Sequence, residues 1–318
     1  MTFSLIAAGT LAQTPEVIRI AGDTSMKSIV QAWEARYAAI HPGARFDNDL
    51  RGTDMGMGML YGGKADIALL GRESNQVEDD SFLHSLQYTP VAVHLMTGSL
   101  DLPNKTYAPV FYVDKNNPLT QITLVELDKV FGCGQDGNAR PARTWGDLGL
   151  GGRWKSAPIH VYTFDTRTGT GLFLVHRLQG ASKKMNWDFL REFADIERPD
   201  GSIYEAAEQT VDALLKDPFG LASASLRYGS PSIRTLALAS GKDAPFVLPT
   251  RETLIDQTYP LARLTYALID QPPGKPLPAA PAEFLRFVLS EEGQAMIVPH
   301  GFLPLNKMDA ADQLVRLR

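Results

Sequence analysis

Three turns rich in hydroxyl groups and glycine carry the side chains of this chain that are best suited to bind a ligand. One spans residues 164–171 and places Arg167, Thr168, Gly169 and Thr170 between an apolar run and an apolar-periodic segment. A helix start leaves backbone N–H groups unpaired and carries partial positive charge, so a turn of this composition can wrap an anion. For a single turn, the plainer interpretation is that Thr168 caps the helix and Arg167 lies in solvent.

Two more turns of the same kind favour a site over a mere cap. One contains Thr24 and Ser25, either of which is a natural helix cap, and the other contains Thr53 and Asp54. Each lies at the same kind of joint between predicted elements. Three such turns that converge would form an anion-binding site.

Other chemistries have weaker support in the sequence. Residues 58–65 nearly match a P-loop, but Ala65 stands where a Ser or Thr must hold magnesium, and the glycines precede a strand. The lone G-x-G-x-x-G at residues 132–137 follows a predicted helix and indicates a loop. The six histidines lack metal-ligand spacing, and Cys133 has no activating base nearby in the sequence. We therefore expect no metal, no cofactor and no catalytic residue.

Composition describes an ordinary globular protein. The chain has 318 residues, a length that suits two domains, with 44% hydrophobic residues, 21% charged residues and a formal net charge of -5. No basic excess indicates nucleic acid or an anionic membrane as a partner. Since the net charge opposes an anion, local donors would have to attract one. No apolar run approaches the roughly 18 residues that span a bilayer, so direct membrane insertion is not expected.

Residues 3–13 are apolar and rich in small side chains. They resemble the end of a secretory signal peptide without its basic n-region, which predicts a clipped signal peptide and a periplasmic protein. The alternative is a frayed terminus with no targeting role.

Strand and helix patterns alternate along the chain, as in an open α/β sheet. Residues 17–21, 65–70, 90–96, 109–113 and 261–269 are predicted as strands. Helical spacing relates Ile29, Trp33, Tyr37 and Ile40, and a further helix is predicted around Trp187, Leu190 and Phe193.

With these landmarks placed, the chain resembles the phosphate-binding proteins of bacterial ABC importers, which are type II periplasmic binding proteins. The resemblance runs from the first strand to Leu305, and its motifs follow in order at residues 63–67, 124–132, 144–148, 168–170, 259–263, 284–294 and 301–305.

The resemblance implies an α/β fold of two lobes, each a mixed sheet flanked by helices, joined by two crossing strands. It places residues 15–92 and 257–318 in the first lobe and 93–256 in the second, after a signal-peptide remnant or disordered segment at 1–14. An oxyanion would lie in the cleft, held by hydroxyls and backbone N–H groups at Thr24, Ser25, Thr53, Gly71, Thr168, Gly169 and Thr170.

Two positions depart from the family pattern. Gly71 stands where the family has a carboxylate that accepts the ligand's proton, and Phe164 stands where it has an arginine. Arg72 and Arg167 are the candidates to supply the positive charge. Asp54 or Asp165 are the candidate acceptors, and Asp54 is equally well explained as the cap of a helix that starts near Met55.

These observations predict a periplasmic, monomeric solute-binding protein that captures phosphate or a similar oxyanion and delivers it to ABC permease subunits. The alternatives are a phosphoryl- or acyl-transfer hydrolase that uses the same cleft and a sensor or scaffold that has lost the ligand. Because the contact turns would lie on both lobes, ligand is expected to close the cleft by hinge rotation.

Overall fold

A computed structural model describes residues 17–103, 105–133, 140–178 and 185–318. The predicted signal-peptide remnant and most of the glycine-rich stretch at 132–137 lie outside these residues. Across the described ranges, none of the helices combines the length and the apolar character that a bilayer crossing requires.

The strands of the described chain, in order, are β1 (Val17–Gly22), β2 (Arg45–Asp49), β3 (Ile67–Leu70), β4 (Val91–Thr97), β5 (Val110–Asp114), β6 (Gln121–Thr123), β7 (His160–Phe164), β8 (Leu190–Phe193), β9 (Ile196–Glu197), β10 (Ile203–Tyr204), β11 (Gly220–Ala224), β12 (Ile233–Thr235), β13 (Ala237–Ala239) and β14 (Leu264–Ile269).

The α-helices of the same residues are α1 (Lys27–Ile40), α2 (Thr53–Tyr61), α3 (Gln76–Leu86), α4 (Leu124–Phe131), α5 (Gly169–Leu178), α6 (Ala206–Leu214), α7 (Arg251–Ile255), α8 (Ala279–Val288), α9 (Glu291–Ala295) and α10 (Lys307–Val315).

Two five-stranded mixed sheets organise the molecule. The first has the order β2-β1-β3-β14-β4, with β1 parallel to β2 and β3, and β14 antiparallel to β3 and β4. The second has the order β12-β5-β11-β7-β8, with β7 parallel to β8 and β11, and β5 antiparallel to β11 and β12. The predicted mixed α/β architecture is therefore confirmed.

Each sheet has its own buried core. Trp33 of α1 and Phe284 of α8 pack with the first sheet, and Trp145 and Phe173 pack with the second. Burial of such aromatic and aliphatic side chains is the main stabilising contribution to each half. Strand β4 belongs to the first sheet and crosses the predicted boundary at residue 92, while Tyr259 packs in the second core. The predicted domain limits stay a prediction.

Two chain segments run side by side between the sheets. The N–H of Gly98, just after β4, donates to the carbonyl of Arg263, just before β14, at 2.9 Å. A Cβ on Gly98 would lie 2.8 Å from the carbonyl oxygen of Thr106, so only glycine fits without a backbone shift.

Several local predictions were wrong. Residues 190–193 form β8 rather than a helix, because pairing with β7 overrides a spacing of three that suits either element in so short a segment. Helix α2 begins at Thr53 after the N-cap Gly52, so Asp54 lies in its first turn and does not cap it.

Candidate functional site

A cavity of about 560 Å³ lies where the ends of strands from both sheets face each other. We call it the cleft, and its lining consists of Asp23, Ser25, Thr53, Asp54, Gly71, Arg72, Lys105, Thr106, Tyr107, Phe164, Thr168, Gly169, Thr170, Ala194, Asp195, Glu205, Ala206 and Arg263. Eight of the ten predicted site residues are in this set. Thr24 and Arg167 are not.

The first turn is organised by Asp23, which sequence reasoning missed. Its carboxylate caps the short 3-10 helix Thr24–Met26 and accepts a hydrogen bond from the N–H of Ser25 at 2.7 Å. It also accepts from the hydroxyl of Ser25, and from that of Thr53 at 2.7 Å. Thr24 is exposed and outside the cleft, so the predicted cap at Thr24 or Ser25 was wrong. An aspartate directly before a hydroxyl turn is a signal that could have identified this cap.

These contacts make the hydroxyls of Ser25 and Thr53 acceptors toward the cleft, whereas the resemblance implies that they donate to an oxyanion. A hydroxyl has one proton to donate and two lone pairs to accept with. The hydroxyls of Ser25 and Thr53 both donate their proton to the Asp23 carboxylate. Oγ1 of Thr53 also accepts a hydrogen bond from the N–H of Gly71 at 3.2 Å. Toward the cleft they offer acceptors rather than donors. The first-sheet side of the cleft therefore matches a ligand oxygen that carries a proton.

Arg72 is buried and fully engaged by protein carboxylates. Its guanidinium bonds to Glu78 at 2.8 Å and to Asp54 at 2.5 Å, and its side chain is 5% exposed. Burial alone would lower the pKa of Arg72, but Glu78 and Asp54 together raise it. Asp54 pairs with Arg72, yet its side chain is 89% exposed, which makes it a rim residue rather than a buried acceptor.

The turn before α5 supplies donors from the second sheet. Thr168 caps the helix, because its Oγ1 accepts from the N–H of Gly171 at 3.1 Å. Gly169 and Thr170 are the first residues of the helix and line the cleft, so the positive end of α5 points at the site. This half resembles the expected anion-binding turn.

Arg167 does not face the cleft. Its side chain is 88% exposed and pairs with Asp165 at 2.5 Å, two residues back. The hydrogen bond from Arg167 holds the pKa of Asp165 below its usual value. Neither residue lines the cavity. This placement does not support the predicted roles of Arg167 as a ligand cation and of Asp165 as an acceptor.

Arg263 lines the cleft as a buried cation, and it was not predicted from the sequence as a site residue. It is 4% exposed, and its guanidinium donates to Oγ1 of Thr170 at 3.1 Å and to the carbonyl of Gly71 at 3.0 Å, so it joins both halves of the site. It also lies over the ring of Phe173 at 4.8 Å. Among the described residues nothing partners its Nε. Burial lowers the pKa of Arg263 to about 10, so the group is charged at neutral pH.

A second cation, Lys105, closes the site from the connecting segment. Its Nζ donates to the carbonyl of Ser25 at 2.7 Å. Burial lowers the pKa of Lys105, with the charge of Asp23 acting in the opposite direction. No signal in the local sequence distinguishes Lys105 from an ordinary loop lysine.

The residues that line the cleft offer charged and polar groups that can bind an anion. They include no histidine and no cysteine, and Cys133 lies elsewhere, with its Sγ donating to the carbonyl of Met185 at 3.3 Å. Within the described ranges, no group of three or more His, Cys, Asp or Glu side chains is placed to hold a metal ion. What the cleft offers for a ligand is the N-terminus of α5, the cations Arg263 and Lys105, and the half-buried carboxylate of Asp23.

Comparison with known proteins agrees with this geometry. The family model described as the PBP superfamily domain matches residues 9–292. The chain belongs to the PBP superfamily. The family resemblance predicted from the sequence is therefore confirmed.

The following relatives of this PBP superfamily member have sequence identities of 27% or less. The phosphate-binding protein PstS of Pseudomonas aeruginosa is 27% identical over 286 residues, which is 89% of this chain and 81% of that protein. Protein SphX of Synechocystis sp. is 24% identical over 306 residues, covering 94% and 82% of the two chains. Among solved structures, PstS from Borrelia burgdorferi matches 92% of this chain and 99% of its own at 18% identity with a TM-score of 0.61. An ABC-type phosphate transport receptor from Vibrio cholerae matches 90% and 99% at 19% identity, with a TM-score of 0.57. Both likenesses support the fold.

Proposed function

We propose that this protein is a non-catalytic solute-binding protein that captures phosphate in the cleft and delivers it to the permease subunits of an ABC importer. The relatives that share most of the chain's length include a protein named for phosphate binding. One observation carries the proposal: Asp23, with the hydroxyls of Ser25 and Thr53 turned toward it, faces the helix N-terminus at Gly169 and Thr170 and the guanidinium of Arg263 across a single cavity.

This division of the site suits the charge state of phosphate. Near neutral pH phosphate still carries a proton, while sulfate is fully ionised. The acceptor side around Asp23 can take the P–OH group, whereas the α5 N-terminus and Arg263 can bind the ionised oxygens. A sulfate ion would meet the carboxylate with no proton between them, so binding would include a repulsive contribution.

The contacts of Arg263 also favour a cleft that closes around the ligand. Arg263 lies just before β14, where it touches Gly71 of the first half and Thr170 of the second. An anion held by both halves would strengthen their attraction, because each half alone offers only part of the donors. The proposed lobes are those that the sequence predicts.

We further propose that the protein acts as a monomer in the periplasm. A thermal-shift series with phosphate, arsenate, sulfate, molybdate and small carboxylates tests the ligand. A ligand that binds only the folded protein must raise its melting temperature. Phosphate and arsenate are expected to do so, and stabilisation by carboxylates alone would contradict the proposal.

A further inference from the structure

One part of the cleft is poorly suited to an inorganic anion. Beside the phosphate donors it carries the carboxylates of Asp195 and Glu205 and the aromatic side chains of Tyr107 and Phe164, whose rings lie 6.3 Å apart. The aromatic Phe164 stands where the sequence pattern calls for a cation. Carboxylates together with aromatic faces are the surroundings that bind an ammonium group.

This second zone lies next to the phosphate donors. Strands β7 and β8 are parallel and end in register, with Phe164 paired to Phe193. The N–H of Asp165 donates to the carbonyl of Phe193 at 2.8 Å, so the two following turns start side by side. Adjacent strands are about 4.8 Å apart. A ligand with a substituent of two carbons can therefore reach from the α5 N-terminus toward Asp195.

Asp195 and Glu205 are brought together by helix α6. Oδ1 of Asp195 accepts from the N–H of Ala206, the first residue of the helix, at 2.8 Å, and Glu205 directly precedes it. Glu205 also reaches Arg227 at 3.3 Å near the surface. Both carboxylates thus have structural partners and still line the cavity.

The charge balance favours a ligand that carries its own positive charge. The lining has one more carboxylate than cations, with four acidic side chains (Asp23, Asp54, Asp195 and Glu205) against three basic ones (Arg72, Lys105 and Arg263). Arg72 is already paired with Asp54 and with Glu78. Independently of these carboxylates, Arg263 brings to the same cavity a buried Nε that lacks a partner among the described residues. The cavity is therefore lined by a buried guanidinium whose hydrogen bonds are incomplete and by an acidic wall.

We propose that the cleft also accepts phosphate monoesters or phosphonates that bear an ammonium group. The phosphoryl group occupies the donors of the α5 N-terminus and Arg263, and the ammonium group lies at Asp195 and Glu205 between the aromatic side chains. This inference rests on the proposed phosphate site for its phosphoryl half. The proposed hinge closure would make the cavity smaller than 560 Å³. The carboxylates and aromatic side chains of the cavity wall, not the cavity volume, therefore indicate the larger ligand.

Calorimetric titration of the full chain with three probes tests the inference. The probes are inorganic phosphate, ethylphosphonate and 2-aminoethylphosphonate, of which the last two differ by the amino group. The amine is expected to tighten binding by about tenfold over ethylphosphonate, as a partly desolvated ammonium contact would. In the variants Glu205→Gln and Asp195→Asn this preference should fall to about threefold or less, with the phosphate affinity unchanged or higher. Glu208→Gln is the matched control, since Glu208 lies in the first turn of α6 outside the lining.

The outcomes separate this inference from the proposed function. If phosphate binds and the two phosphonates bind equally or not at all, the ammonium site is wrong and the phosphate site stands. If Glu205→Gln and Glu208→Gln reduce the amine preference equally, the effect is general electrostatics and the assigned site is wrong. If 2-aminoethylphosphonate binds and inorganic phosphate does not, the ammonium site stands and the proposed function must change.

Discussion

The carboxylate of Asp23 occupies the space that a side chain at Gly71 would need. A Cβ built on Gly71 would lie 2.7 Å from Oγ1 of Thr106 and closer still to Oδ2 of Asp23. A carboxylate at residue 23 and a glycine at residue 71 therefore belong together. In the proposed function, the Asp23 carboxylate takes the acceptor role that the family pattern gives to position 71.

Replacing this carboxylate tests its role in reading the ligand's proton. In Asp23→Asn the side chain keeps its shape but cannot accept from both hydroxyls and a P–OH group. Phosphate binding should weaken by about 1.5 to 3 kcal/mol, as for hydrogen bonds to a charged group, and sulfate binding should weaken less or improve. Calorimetry with both anions measures this. Asp54→Asn is the matched control and should hardly move either affinity, because Asp54 is a rim residue. Equal losses for both anions in Asp23→Asn, or a phosphate-selective loss in Asp54→Asn, would show that Asp23 is not the acceptor.

A pair of substitutions tests the spatial exclusion between residues 23 and 71. Gly71→Ala should displace the Asp23 carboxylate and lower the free energy of unfolding by about 1 to 3 kcal/mol, the range for overpacking. In an Asp23→Ala background the same change should cost less, because the nearest clash, with Oδ2 of Asp23, is gone and only the one with Oγ1 of Thr106 remains. Denaturant unfolding of the wild type, both single variants and the double variant gives the coupling energy directly. Additive effects would mean that the two sites do not share this space.

Replacing Arg263 is expected to reduce phosphate affinity far more than replacing Arg167, an arginine that the sequence predicts in the site. Arg263→Lys keeps a positive charge but cannot reach both Gly71 and Thr170 with a planar fork, so phosphate affinity should fall roughly ten- to a hundredfold. Arg167→Lys is the control at an exposed position and should bind phosphate as the wild type does. Thermal melting of both variants separates lost binding from lost folding. A larger loss of affinity in the Arg167 variant would overturn the assignment.

The sequence predicts which turns line the cleft better than it predicts which charged side chains do. Ser25, Thr53 and Thr168 were predictable as residues of the cleft because hydroxyls and glycines at strand-to-helix joints mark helix starts, which are set by local sequence. Arg167 was predicted in the site because it lies in the turn before α5. Its position along the chain does not determine where its side chain points, and the side chain pairs with Asp165 two residues away. Arg263 was not assigned because its partners, Gly71 and Thr170, are distant in sequence and meet only in the folded protein.

Hinge closure is a separate prediction about motion. Saturating phosphate should reduce the radius of gyration in solution scattering, because the donors of both halves can contact one anion only when the cleft is closed. Asp23→Asn at the same phosphate concentration should stay closer to the open form. Superimposable curves for the wild type with and without phosphate would argue against closure.

The most direct test of the central claim is calorimetric titration of the wild-type protein with phosphate and with sulfate at neutral pH. We expect one phosphate per chain and a clear preference for phosphate, about tenfold or more, as a carboxylate that accepts the ligand's proton requires. Tighter binding of sulfate, or no heat and no competition from either anion, would contradict the assignment of this cleft as a phosphate site.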